Sequence, residues 1–197
     1  MRIIIYLFLL LFLFSCKEER LPFIGHHTVN PDTNETIYHT IQPFSFINQD
    51  NEVITEEYLK GKITIVDFFF STCPTICPVM TNNMVELQKK WALEPTIQFL
   101  SHTVDPETDT VEQMKRYADK HEADIAQWIF LTGERKELYD MALNSYLITA
   151  VASKDYSIKV TPDFVHTQYF VLVDKFDNIR GAYDGTKTEE VKDLIED

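Results

Sequence analysis

The chain has 197 residues, 45% of them hydrophobic and 13% aromatic, enough for one domain with its own core and short appendages. Its formal charge of −13 argues against nucleic acid or an anionic membrane surface as partner, and suits either a face exposed to cationic proteins or metal ions or simple solubility. Three cysteines are too few for a disulfide framework.

The first segment reads as an export signal, either of the lipoprotein type or an uncleaved or ordinarily cleaved one. One Arg is followed by the apolar run Ile3–Phe14, then Ser15 and Cys16. Twelve apolar residues are too few for a membrane-spanning helix, which needs about 20, but they suit the apolar part of a signal peptide. Leu13-Phe14-Ser15-Cys16 resembles a bacterial lipobox. On that reading residues 1–15 are a lipoprotein signal peptide and Cys16 is the lipidated first residue of the mature chain, anchored to a bacterial membrane and facing the periplasm. Residues 16–36 are polar, Pro-punctuated and aperiodic, and read as a flexible tether. His26 and His27 within it are either a transient metal-capture pair or simply solvated.

The domain is expected over residues 37–197. FSFIN and NEVI, separated by a polar turn, predict a hairpin; EEYLKGK predicts a helical turn ending at Gly61. ITIVDFFF, residues 63–70, is a nearly continuous run of strand formers and predicts an interior strand buried on both faces. From Pro78, Val79, Met80, Met84, Leu87 and Trp91 recur at helical spacing, with Pro78 suited to the first helical position. The methionines are either copper ligands or core. Next come the strand TIQFLSHTV, the loop DPETD, the helix TVEQMKRYADKHEA, the strand WIFLTG and the helix ERKELYDMALNSY. The hairpin YFVLVD–IRGAYDG and a closing helix complete the chain. Strands alternating with helices and ending in a hairpin indicate an α/β fold with a mixed sheet flanked by helices.

The chemistry lies between the interior strand and the first long helix. Cys73 and Cys77 occupy that junction, where unpaired helix N–H groups favour thiolate. If both lie within or near the first helical turn, their separation of four residues puts them on one face. Two sulfurs on one face either close a disulfide or grip a soft metal ion. A neutral imidazole would complete a three-coordinate Cu(I) site. His102, which ends a strand, His121, near the end of a surface helix, and His166, just before YFVLV, are the candidates; His39 precedes the first strand and is set aside. A structural bridge is a poor fit because so short a loop gains little by closure. A Cys2His zinc site lacks the fourth ligand that structural zinc takes.

VDFFFSTCPTICPVMTNNM, TVDPETDT, WIFLTG and DFVHTQYFVLVD, in this order and spacing, resemble the Sco/SenC family from about residue 37 to the C-terminus. The resemblance implies a thioredoxin-like fold with an N-terminal hairpin extension. It implies a membrane-anchored copper protein that helps load the dinuclear copper centre of cytochrome c oxidase, with the copper-accepting oxidase subunit as partner. Copper, as Cu(I) or Cu(II), would be held by Cys73, Cys77 and His166. The alternative role is a thiol–disulfide oxidoreductase, with Cys73 and Cys77 as the redox-active dithiol, that reduces the cysteines of the accepting site. The family often carries Asp immediately before the His, where this chain has Val165; the nearest carboxylate is Asp163. Asp105 and Asp109 match the family's acidic loop. They either orient the site or dock a partner, or they merely cap a loop.

Overall fold

The computed structural model describes residues 21–148 and 167–197, so Cys16, Asp163, Val165 and His166 lie outside the described residues. Among the described residues, nine strands fall into a two-stranded hairpin and one seven-stranded sheet. The hairpin is β1 (Thr28–Val29) with β2 (Thr36–Ile37). The sheet is ordered β4-β3-β7-β6-β5-β8-β9, from β3 (Ser45–Asn48), β4 (Val53–Thr55), β5 (Ile63–Phe69), β6 (Ile97–Thr103), β7 (Trp128–Thr132), β8 (Tyr169–Val173) and β9 (Ile179–Asp184). Strands β5, β6 and β7 are parallel; the flanking pairs are antiparallel. The expected mixed sheet and N-terminal hairpin are both present, the hairpin as the β3–β4 edge of the main sheet.

Helices α1 (Ile76–Lys90), α2 (Val111–Lys120), α3 (Arg135–Asp140, continued by a π turn Met141–Ser145) and α4 (Thr188–Glu196) pack on the sheet. Helix α1 begins two residues earlier than Pro78 suggests. Pro78 is then its third residue, still within the first turn, where an N–H has no helical partner and its loss costs nothing. Thr110 caps α2 by accepting from Gln113 N. Gly61, at φ +75°, makes the left-handed turn that returns the chain into β5.

The two faces of the sheet carry separate cores. On one face Ile65, Phe69, Phe99, Trp128, Phe130 and Phe170 meet Met80, Met84 and Leu87 of α1 and Met114 of α2. Met80 and Met84 are 1% and 0% exposed, so this methionine stripe is core. On the other face Val66, Phe68, Leu100, Leu131 and Val171 meet Tyr146 and Ile148.

Ile24 and Ile41 belong to that second core, and Ile24 lies within the stretch 16–36 expected as a tether. Ile24 N donates to the Ile179 carbonyl at 2.9 Å, adding a bridge to β9. Arg180 donates to the Leu21 and Pro22 carbonyls (2.5 and 3.0 Å), pairs with Asp174 at 3.0 Å and lies over the Phe23 ring. The sequence from 21 onward is aperiodic because isolated apolar residues dock there one at a time, not as one face of an element.

Candidate metal centre

Strand β5 ends at Phe69, and the chain turns through residues 70–75 before α1 starts. Cys73 N donates to the Phe70 carbonyl at 3.1 Å, and Cys77, in the first turn of α1, points its N–H at Cys73 Sγ, 3.4 Å away. Thr75 Oγ1 is 3.8 Å from the same sulfur. Both thiols are free and nearly buried, 8% and 4% exposed. They line a cavity of about 260 Å³ together with Phe68, Phe70, Thr75, Ile76, Val104 and Thr167.

The two thiols differ. Burial works against the Cys73 thiolate, but hydrogen bonds from Thr75 and Cys77 outweigh it and leave its pKa below the ordinary cysteine value. For Cys77 burial dominates, and the neighbouring Cys73 and Asp67 charges add to it, so its pKa is pushed up to about 12. The expectation that the helix start favours both thiolates therefore holds for Cys73 only. The sulfur outside the helix collects the free N–H groups; the one inside the first turn is desolvated by the core.

Asp109 organises the cysteine loop. Fully buried, it accepts from Ser71 N with both oxygens (3.2 and 3.1 Å), from Ser71 Oγ, and from Thr103 Oγ1 at 2.5 Å. Gln113 of α2 adds a bond to Ser71 Oγ at 2.9 Å. Buried carboxylates need such donors, so the cost of disrupting this group falls on the loop that carries Cys73. Asp105 does something else: it pairs with Arg135 at 3.3 Å on the surface, in a network with Glu107.

The candidate histidines separate clearly. His102 is 0% exposed, does not line the dithiol cavity, and is boxed by Phe44, Phe46, Phe68 and Tyr146. Among the described residues neither ring nitrogen has a hydrogen-bond partner, and burial drives its pKa down to about 3. It is a core residue on the opposite face of the sheet from the dithiol. His121 caps the far end of α2 against the Tyr117 ring, and His39 Nε2 donates to the Ser145 carbonyl at 2.7 Å. His26 and His27 are exposed, His27 edge-on to Tyr38. Among the described residues no cluster of three or more His, Cys, Asp or Glu side chains is placed to hold a metal.

Asp67 escapes a reading by sequence motif. It lies on β5 beneath the cysteine loop, 2% exposed, accepting from Ser101 Oγ, which in turn accepts from Trp128 Nε1 at 2.8 Å. Burial, opposed by the Ser101 bond, lifts its pKa to about 7. The available signal was a lone carboxylate inside an otherwise apolar strand.

Residues 32–196 match the SCO1/SenC family model. The chain belongs to the SCO1/SenC family. A SCO1 protein homolog of Bacillus subtilis is 33% identical over 190 residues, covering 95% of this chain and 91% of the relative. The solved SCO1/SenC family lipoprotein of Bacillus anthracis is similar at 30% identity and TM-score 0.68, over 80% of this chain and 92% of that one. BsSco, described as a member of the Sco family of cytochrome c oxidase assembly proteins and as having a disulfide switch, is similar at 33% identity and TM-score 0.65, over 80% and 90%. Arabidopsis thaliana ScoI, solved with copper bound, is 28% identical at TM-score 0.58, over 80% and 94%. The fold is the thioredoxin-like one of these Sco structures, as the sequence resemblance implied. The family includes a lipoprotein, and no helix among the described residues is long and apolar enough to cross a membrane.

Proposed function

We propose that this chain is an extracytoplasmic copper carrier. Cys73, Cys77 and His166 hold the ion, which is passed to the copper-accepting subunit during assembly of the dinuclear copper centre of cytochrome c oxidase. The observation that carries this reading is the composition of one cavity: both cysteines line it, and so does Thr167, the residue that follows His166. Soft thiolates with one imidazole are a donor set selective for Cu(I). The copper-bound Sco structure and the Sco family's link to oxidase assembly support the cargo and the acceptor. Copper binding would convert the Cys77 thiol to thiolate, releasing its proton as the metal supplies the compensating charge that burial denies. Asp109 positions the cysteine loop, Asp105 faces a partner, and Asp163 is the carboxylate available to orient His166. Cys16 carries the lipid that fixes the domain to the membrane.

The unequal thiols favour a second role. Cys73, the lower-pKa sulfur, is suited to attack an acceptor disulfide, releasing one acceptor thiolate. Cys77 then resolves the mixed disulfide, leaving the acceptor as dithiol and this domain oxidised. A cellular thiol donor would restore the reduced pair.

Anaerobic titration of the reduced chain beginning at Lys17 with Cu(I), against a competing chelator, tests the carrier. The start at Lys17 keeps Ile24 and Ile41 in the core. One equivalent should bind; Cys73→Ala and Cys77→Ala should abolish it, and His166→Ala should weaken it by at least the roughly 10–100-fold that losing a ligand's hydrogen-bond partner costs. Oxidation of the dithiol should release the copper. His166→Ala binding with parental affinity would sink the three-ligand site, and its unimpaired reduction of a two-cysteine peptide disulfide would put the oxidoreductase role first.

A further inference from the structure

We infer that the end of the domain where β5, β6 and β7 begin is its membrane-facing surface, a phospholipid bilayer being the partner, and that the dithiol is held at the end pointing away. This rests on the lipid anchor at Cys16 proposed above.

The first observation is where the chain is gripped. Arg180 makes three polar contacts there, to the Leu21 and Pro22 carbonyls and Asp174, and covers Phe23, while Ile24 is bridged to β9. Leu21 lies in a groove of about 390 Å³ with Ile63, Trp91, Ile97 and Leu194, at the start of β5 and β6. Only residues 17–20 separate this grip from Cys16. Five Cα steps reach at most about 18 Å. The lipid attachment therefore lies near this end, and the domain does not roam on a 21-residue leash. The dithiol loop leaves the other end of β5, a seven-residue strand about 20 Å long.

The second observation is independent of the anchor. Large apolar side chains are exposed around the gripped end: Ile63 opens β5, Leu93 (93% exposed) and Ile125 occupy the turns before β6 and β7, and Phe176 (68%) tips the β8–β9 turn. Phe23, covered by Arg180, stacks on Tyr38 at 4.0 Å. That turn is tied to the same end, since Gly61 N donates to the Lys175 carbonyl at 3.3 Å. Exposed apolar and aromatic groups at headgroup depth are stabilised there, whereas in water they gain nothing. The chain's net charge of −13 calls for a zwitterionic surface, not an anionic one.

Hydrogen–deuterium exchange of the acylated full-length mature protein in phosphatidylcholine–phosphatidylethanolamine vesicles, against the lipid-free chain from Lys17, reads this orientation directly. Vesicles should slow exchange severalfold in residues 60–63, 91–96 and 174–178 and leave 71–79 unchanged. Equal protection of both ends, or protection of 71–79 alone, overturns the orientation. The same measurement on a Cys73→Ser/Cys77→Ser chain coupled through Cys16 to a maleimide phospholipid separates the two claims. If the cell's protein carries no lipid, the anchor reading fails by mass spectrometry, while the coupled form still decides the orientation by the same contrast.

Discussion

Asp67 and His102 lie on neighbouring strands, both almost completely buried, yet they face opposite sides of one sheet and play different parts. Asp67 faces α1, is bonded to Ser101, and raises the pKa of Cys77. His102 faces the aromatic core, both nitrogens without a hydrogen-bond partner among the described residues. A buried ionisable group is tied to a site by what it touches, not by its depth. Adjacent residues of a strand point to opposite faces, so Asp67 lies on the α1 side while Phe68, the next residue, stacks on His102 and lines the mouth of the dithiol cavity at the strand's end.

The sharpest way to break this comparison is the pH dependence of stability. The pKa of Asp67 is raised from about 4 to about 7, so the folded state holds the proton more tightly. The stability this contributes is complete below the unfolded pKa and is lost as pH rises through 7. The pKa of His102 is depressed from 6.5 to about 3, so the folded state resists protonation. Its contribution is complete above 6.5 and is lost as pH falls toward 3. Each amounts to as much as about 4 to 5 kcal/mol, at 1.36 kcal/mol per pKa unit, and between pH 4 and 6.5 the two slopes oppose. Urea melts from pH 4 to 8 should therefore show a shallow profile for the parent chain. Asp67→Asn should leave stability rising with pH to about 6.5, and His102→Leu should leave it falling through 7. Parallel profiles for the two variants would dissolve the contrast.

A smaller effect is expected at Asp109. Asp109→Asn keeps the shape but replaces an acceptor of several donors with an amide, and should cost about 1–3 kcal/mol of unfolding free energy. Because the cost falls on the loop carrying Cys73, Cu(I) affinity should drop about 10–100-fold in the same variant. Loss of stability with copper affinity intact would make Asp109 a loop anchor and nothing more. Smallest is Met80→Leu, a volume-conserving change in the α1 core, expected to cost less than about 1.5 kcal/mol and to leave the copper stoichiometry at one. A lost equivalent would return the methionines to the ligand set.

The dithiol junction was legible because a continuous apolar strand, two cysteines and a helix with Pro in its first turn are all local signals. The sorting of histidines was not. His102 sits at a strand end in the sequence, a plausible place for a ligand, and only pairing with β5 and β7 shows that its ring enters the aromatic core. Asp105 and Asp109 are indistinguishable as loop carboxylates; α2 and β6 bring one under Ser71, and Arg135 draws the other to the surface. The grip on residues 21–24 was hidden for the same reason, since its partners Arg180 and Ile179 are more than 150 positions away.

By itself the sequence determined what periodicity and local chemistry dictate: one α/β domain, a mixed sheet, the methionine helix and a cysteine pair at a strand–helix junction. Only the tertiary structure decided which thiol is the lower in pKa, which carboxylate holds the loop, and where the chain's beginning is fastened. Those outcomes depend on burial and on hydrogen bonds between residues far apart in sequence. Both are set when the two faces of the sheet close over their cores, and neither leaves a periodic trace in the chain.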